Sequence, residues 1–309
     1  MPPMQKRNKL AIVFLCLGVL VYSLQDAVIK KVSGDYAVTQ ALFIRSLVSV
    51  PLLICFVQVE AGIKAIGSPQ IPWLILRSLG LFLSYTAYYI AFPALPLAEA
   101  VALYFTVPLF IIVLAGPLLN ESVPWTSWMA VAVGFAGVLI ILQPGTALFE
   151  PAALFSLLAA LLYGLCALLA RRLGTTEPAS VMTFYQNFVF MVAAVVVALI
   201  LHAAEIREAV HPSLDFLVRP WSRPPAGDFL LMASCGAIAA VGATMLTHAY
   251  RIGEANRVGS FEFTGILWLP LWGFLFFGEL PRWTTALGAI LIVMSGVIAL
   301  RGPRRAHAS

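Results

Sequence analysis

Charge is what this sequence has least of. Of its 309 residues only 11% are Asp, Glu, Lys or Arg, while 61% are hydrophobic; an ordinary soluble domain is about a quarter charged. So little charge excludes the coat of a water-soluble domain and leaves most of the surface to lipid. A basic cluster is also missing. The net charge of +5 is spread along the chain, which excludes a nucleic-acid surface. Cysteine is scarce. Cys16, Cys55, Cys166 and Cys235 lie in separate apolar runs; none has metal-ligand spacing, so they read as small buried hydrophobes and no metal site is expected. The motifs of several enzyme classes are absent: no Gly-x-x-x-x-Gly-Lys-Ser/Thr phosphate loop, no His-Glu-x-x-His and no Gly-x-Ser-x-Gly elbow. No span carries the serial arginines of a voltage sensor. Neither a cofactor nor a catalytic residue is expected, and a membrane enzyme or a purely structural subunit is disfavoured.

What is present is a series of apolar runs. Crossing the hydrocarbon core takes roughly 20 apolar residues as a helix. Ten runs qualify: about Leu10–Ile29, Ala37–Val57, Ile71–Phe92, Leu97–Leu118, Trp125–Leu142, Pro151–Ala170, Ala179–Leu201, Asp228–Tyr250, Val258–Phe277 and Trp283–Leu300. Helices are required because backbone groups in lipid must satisfy one another within the span, and the runs lack the alternation of a barrel. Lys6, Arg7 and Lys9 precede the first run as in a signal peptide, but the run is long and no clean small-residue cleavage site follows. It reads as an uncleaved first span. Turn residues such as Ser33-Gly34-Asp35, Pro93 to Pro96 and Pro144-Gly145 separate the runs. One loop is long, His202 to Gly227, with Pro212, Pro220, Pro224, Pro225 and Trp221; it reads as a surface segment with a short interfacial helix.

With the N-terminus inside, twelve Lys and Arg fall on the cytoplasmic side and six on the far side. The positive-inside rule therefore places both termini in the cytoplasm. The chain also echoes itself. Tyr22–Lys31 matches Tyr163–Arg172, Ala94–Ala100 matches Ala249–Ala255, Glu121–Trp125 matches Glu279–Trp283, and Gly137–Leu142 matches Gly296–Leu300, with offsets drifting from 141 to 159. Several weak matches in order indicate a repeat. Each half holds an odd number of runs, five, so the second must enter the membrane from the opposite side. The expectation is an all-α membrane protein: ten transmembrane helices in two inverted five-helix repeats, residues 1–146 and 147–309, around a central cavity.

Certain stretches resemble the ten-helix EamA-type branch of the drug/metabolite transporter superfamily. They are Gln25-Asp26-Ala27-Val28-Ile29-Lys30, Phe43-Ile44-Arg45-Ser46, Leu95-Pro-Leu-Ala-Glu-Ala100, Phe261-Glu-Phe-Thr264 and Phe277-Gly-Glu-Leu-Pro281. The resemblance covers nearly the whole chain. It implies a bacterial-type inner-membrane carrier that moves a small solute through a cavity lined by the third, fourth, eighth and ninth spans, helped by the first and sixth. It also implies a substrate class: amino acids, aromatic or neutral, exported. The alternative is a vitamin or cofactor such as riboflavin or S-adenosylmethionine. A monomer is expected.

A charge at mid-bilayer costs about 2.5–3.5 kcal/mol on insertion scales, so one that remains has a partner or faces water. Glu262 in the ninth run either binds a solute amine or carries a proton, or it is a buried acid tied to Arg257 or His248. Asp26 either pairs with Lys30 at i+4 or forms a bridge with Arg45 that locks one state of a transport cycle. Glu99, Glu254, Glu121 and Glu279 read as helix-end residues. Tyr85, Tyr88 and Tyr89 crowd the third run, with Tyr104, Tyr163, Tyr185, Trp268 and Trp272 in others. Tyrosine offers an apolar body with one polar handle, which suits a zwitterionic or aromatic solute; the same residues also build interfacial belts and simple packing. Gln186, Asn187, Thr244, Thr247 and His248 are the candidate polar contacts. Gly236, Ala239, Ala240, Gly242 and Ala243 suit close helix packing, and Pro108, Pro117 and Pro270 suit bends or hinges. Facilitated diffusion and proton exchange both fit.

Overall fold

A computed structural model describes residues 4–119, 125–146, 148–173, 177–252 and 264–301. The described chain is helical with no strand. Its helices are α1 (Met4–Val32), α2 (Val38–Glu60), α3 (Ile71–Ile90), α4 (Leu97–Tyr104), α5 (Val107–Leu119), α6 (Trp125–Leu142), α7 (Ala153–Leu173), α8 (Ala179–Ala203), α9 (Pro212–Val218), α10 (Ala226–Ile252), α11 (Gly265–Phe277) and α12 (Trp283–Arg301), with a 3-10 turn at Ile63–Ile66. Every apolar run of the sequence contains helix, and the fourth contains two. Leu10–Val32, Val38–Glu60, Leu97–Leu114 and Ala179–Ala203 are long and apolar enough to cross a membrane. The outward faces are apolar as well, with Val59, Trp125, Leu199 and Leu267 exposed. This is the surface of a membrane protein.

The fourth run breaks at Phe105-Thr106 because of Pro108, which has no N–H to give to the Tyr104 carbonyl and whose ring crowds that carbonyl. The freed groups close locally: Thr106 Oγ1 donates to the Leu103 carbonyl at 2.7 Å, and the Leu109 N–H donates to the Thr106 carbonyl at 2.9 Å. Pro270 lies inside α11, and Pro51, not singled out in the sequence, lies inside α2. The long loop does contain a short helix, α9. It is strapped to the start of α2. Trp221 Nε1 donates to Thr39 Oγ1 at 2.9 Å, Gln40 exchanges two hydrogen bonds with the Ser222 backbone, and the Tyr36 hydroxyl donates to Asp228 at 2.5 Å.

The two halves interleave. α1 runs along α10, α6 along α12, α2 along α8 and α10, and α3 along α7 and α8; α4 and α5 pack on α7, and α11 packs on α1 and α4. Small residues set these distances, since lipid gives no hydrophobic drive between helices. A Cβ on Gly236 would lie 2.4 Å from the Arg45 carbonyl oxygen and 2.7 Å from Val48 Cβ. Gly242 seats the Tyr22 ring, and Gly137 and Gly288 face each other's carbonyls across α6 and α12. Ala239 and Ala240 are buried on the same helix as Gly236; the side chain of Ala243 lies outside the described residues.

The cysteines correct the expectation in part. Cys166 and Cys235 are buried, Cys16 is half-buried and Cys55 is exposed on α2, because a thiol on a lipid-facing helix surface is solvated by hydrocarbon and need not be covered. At the other extreme of crowding, Gly236→Ala is expected to push α10 from α2 and to cost about 1–3 kcal/mol, lowering the thermal midpoint in detergent. Gly227→Ala, whose added Cβ meets nothing within 4 Å, is the control and should leave the midpoint unchanged.

Candidate functional site

Three faces meet inside the bundle. On α1, Tyr22, Gln25 and Asp26 follow the i, i+3, i+4 spacing that places them on one side of a helix. On α3, Tyr85, Tyr88 and Tyr89 do the same, with Phe92 in the turn that follows. α2 contributes Arg45. The Tyr88 hydroxyl donates to Asp26 Oδ2 at 3.1 Å, and Gln25 Nε2 donates to the Tyr89 hydroxyl at 2.6 Å. The rings form a continuous cluster of edge-on and tilted contacts: Tyr88 to Tyr104 at 4.5 Å, Tyr88 to Phe92 at 4.8 Å, Tyr88 to Tyr89 at 5.5 Å, Tyr85 to Tyr89 at 5.8 Å, Tyr85 to Phe190 at 5.4 Å and Tyr104 to Tyr163 at 5.8 Å between centroids. The broken fourth run places Tyr104 at the last residue of α4, so the helix break and the ring cluster coincide. Tyr22, Asp26, Tyr85, Tyr104 and Tyr163 remain only half-buried, leaving surface uncovered within the bundle.

Arg45 lies among these rings and is 1% exposed. Its guanidinium carbon is 5.4 Å from the Tyr85 ring centroid and 5.8 Å from that of Phe190. Nε and Nη1 have no hydrogen-bond partner among the described residues, and neither does Gln25 Oε1. Arg45 and Asp26 act on each other electrostatically but do not come within ion-pair distance, 4.0 Å. The bridge between them is therefore open here. Nor does Lys30 pair with Asp26. It reaches instead across to Glu279.

Of the sequence candidates, Tyr85, Tyr88, Tyr89, Tyr104, Tyr163, Asp26 and Arg45 are brought together. Asn187 is buried beside them on α8, but its side chain is engaged by protein: Ser49 Oγ donates to Asn187 Oδ1 at 2.9 Å, and Nδ2 donates to the Thr183 carbonyl at 3.0 Å. Trp268 stands on α11, where its indole Nε1 is buried without a partner among the described residues. Tyr185 is set apart, donating to the Ile66 carbonyl at 2.6 Å. Glu262, with Phe261, Glu254, Arg257 and Glu121, lies outside the described residues, as do the side chains of His248, Thr244 and Thr247. The sequence reading missed Gln25, Phe190 and Arg77 as site residues. Arg77 sits inside α3 in electrostatic reach of Tyr163 and Tyr85, with a buried, unpartnered Nε; a charge within an apolar run was the available signal.

At the loop end of the cluster is a latch. Gly278 ends α11 with φ +65, which glycine adopts without strain, and the turn is closed by the Glu279 N–H on the Gly273 carbonyl at 3.0 Å. Glu279 is thereby aimed at the first half. Its Oε1 pairs with Lys30 at the end of α1, and its Oε2 accepts the Leu97 N–H at the start of α4 at 2.9 Å. Lys30 Nζ also donates to the Leu95 carbonyl at 2.6 Å. Beyond the latch opens a cup of about 590 Å³ whose lining includes Lys30, Lys31, Phe92, Phe277 and Arg219. Phe92 belongs to both structures, so the floor of the cup is the roof of the ring cluster.

The family follows from comparison with known proteins. The model of the EamA-like transporter family matches residues 9–143, and a riboflavin transporter of Rhizobium johnstonii is 30% identical over 239 residues, 76% of this chain and 72% of its own. The chain belongs to the EamA-like transporter family. It is a membrane transporter of small solutes in the drug/metabolite superfamily, and not an enzyme. Other relatives are an S-adenosylmethionine uptake transporter of Rickettsia prowazekii, 24% identical over 298 residues (96% of this chain and 95% of that one), and the pseudopaline exporter CntI of Pseudomonas aeruginosa, 26% identical over 294 residues (95% and 96%). A protein of known crystal structure shares the fold with a TM-score of 0.64 at 17% identity, over 97% of this chain and 98% of that chain. None of these relatives is named as a plain amino-acid exporter, so the family membership holds without that substrate.

The latch makes a direct prediction. Lys30→Ala and Glu279→Gln should each lower the thermal midpoint, and the double variant should fall less than the sum, with a coupling of about 0.5–3 kcal/mol. Additive shifts would show that the pair does not hold this end of the bundle together.

Proposed function

We propose that the chain is a ten-span secondary carrier, built as two inverted five-helix repeats, that moves a small organic solute by alternating access through a cavity at the tyrosine cluster. The carrying observation is the cluster itself. A buried guanidinium with free donors, an acid and a ring cluster gather where the first four runs meet the sixth, seventh and eighth.

The helix pairings support the repeat. Counting α4 and α5 as one broken span and α9 as a loop helix, the membrane runs number ten. Moving every run five places along turns the pairing of the first with the eighth into that of the sixth with the third. It turns the second with the eighth into the seventh with the third, and the fourth with the sixth into the ninth with the first. The pairs second–seventh, fourth–ninth and fifth–tenth map onto themselves, and all of these contacts occur. The family match to residues 9–143 also fits a unit ending near residue 146. Two such units threaded in opposite senses can open one face as they close the other. The broken fourth span beside Tyr104 is the kind of discontinuity that carriers place at their sites.

For the solute, an amino acid with an aromatic or neutral side chain fits rings with a single polar handle each. The S-adenosylmethionine and riboflavin relatives support the second reading, a cofactor or vitamin with a flat ring system. The bacterial relatives support an inner-membrane placement, and the Lys and Arg count supports both termini on the cytoplasmic side. Without a coupled ion, the direction of net movement follows the solute gradient.

The test is counterflow in liposomes loaded in turn with L-tryptophan, S-adenosylmethionine and riboflavin. Saturable exchange of at least one is expected, and Tyr104→Ala should cut it at least tenfold. No exchange of any of the three would remove the proposed substrate range. Membrane-impermeant labelling of cysteines placed at residues 2 and 308 should mark one and the same face; opposite faces would overturn the even span count.

A further inference from the structure

We infer that Arg45 and Asp26 are the two poles of a subsite for the charged head of an α-amino acid, Arg45 taking the carboxylate and Asp26 the ammonium. The inference rests on the carrier reading above and names what its cavity recognises.

The observations are specific. Arg45 is 1% exposed, yet Nε and Nη1 lack partners among the described residues. A buried charge left in that condition is strongly destabilising unless something fills the gap. The faces of Tyr85 and Phe190 stabilise the cation but offer its N–H groups no acceptor. A planar carboxylate does, and it matches the guanidinium fork. Among the described residues Asp26 accepts only the Tyr88 hydroxyl, and it is half-buried, so it keeps capacity for an ammonium. Gln25 Oε1, held in place because Nε2 is bonded to Tyr89, is a second free acceptor on the same face of α1.

Geometry then selects the ligand. Arg45 and Asp26 do not come within ion-pair distance of each other, so neither neutralises the other directly. A ligand carrying adjacent opposite charges bridges them and relieves both at once. A cation alone leaves Arg45 unpaired; an anion alone leaves Asp26 unpaired. The solute's remaining body meets the rings of Tyr88, Tyr104 and Tyr163. This makes Arg45 and Asp26 specificity residues: the head group is read by charge, the rest by shape.

The experiment uses the full chain in liposomes, with labelled L-tryptophan and labelled S-adenosylmethionine as exchanged solutes. Tryptamine, which lacks the carboxylate, and indole-3-propionate, which lacks the amine, serve as competitors. Wild type should exchange at least one of the two head-bearing solutes and should prefer it at least tenfold over either competitor. Arg45→Gln should lose the discrimination against tryptamine while keeping that against indole-3-propionate, and Asp26→Asn should show the reverse. A mere packing role for either residue would not separate the two competitors. Should Arg45→Gln fail to insert, the wild-type preference and the Asp26→Asn arm decide. Equal competition by both analogues overturns the inference. Exchange of riboflavin alone overturns it too while leaving the carrier reading intact, and exchange of nothing overturns both.

Discussion

A guanidinium held in an apolar bundle without enough acceptors is the constraint on which this structure turns. Insertion scales put a central arginine at about 2.5–3.5 kcal/mol against the membrane, and Arg45 keeps two nitrogens without a partner among the described residues. The surrounding architecture offsets that burden without cancelling it. Two aromatic faces flank the cation, Asp26 lies in electrostatic range, and Gly236 lets α10 press against the backbone of Arg45 itself. Close packing there fixes the arginine's position, since α2 has no room to slide. Incomplete pairing leaves it chemically available. A protein selected only for stability would have paired the charge or replaced it.

The second constraint is that backbone groups in lipid cannot be left open. It explains why the few irregular stretches in the membrane region carry so much of the design. The break at Phe105-Thr106 is closed by Thr106 and its neighbours and delivers Tyr104 to the ring cluster. The end of α11 is closed by Gly278 in a left-handed conformation and delivers Glu279 to Lys30 and to the start of α4. In both cases the local chemistry that repairs the backbone also aims a side chain at a partner in another part of the chain. A single ion pair at the loop end ties α1, α4 and α11, and Phe92 lies between the cup and the rings. The same three helices must part if a solute is to pass that way.

How much of this was legible beforehand depends on the range of each interaction. The apolar runs were readable because hydrophobicity over roughly 20 residues is a local property, and each of them contains helix among the described residues. The tyrosines of α3 and the intramembrane Asp26 and Arg45 were readable because polar atoms are rare in such runs. Partners were not readable. Asp26 with Lys30 was the local guess from i+4 spacing, whereas Lys30 pairs with a residue 249 positions away and Asp26 with one 62 away. Glu279 looked like a helix-end acid and is one, but the helix whose first turn it satisfies is α4. Asn187 was singled out for its amide, which is spent on Ser49 and Thr183. Arg77 was counted only as one of the twelve cations on the cytoplasmic side. Sequence identifies which groups are out of place in lipid; only the tertiary pairing says which of them remain unsatisfied.

The halves, finally, are alike in packing and unlike in chemistry. Their principal pairings exchange under a five-place shift, yet Gln25, Asp26, Arg45 and four of the five clustered tyrosines come from the first half. The second contributes Tyr163, Phe190 and Cys235 to the same surroundings. The echo of Tyr22–Lys31 at Tyr163–Arg172 keeps the tyrosine and the basic pair but has cysteine and alanine in place of the amide and acid. Such a division is what a carrier needs if it must move symmetrically and bind asymmetrically. The rocking of two similar bundles requires only that their contacts be equivalent. Recognition of one solute requires a single set of charges, because a duplicated Arg45 and Asp26 would place two more unpaired groups in lipid and give the solute two competing positions.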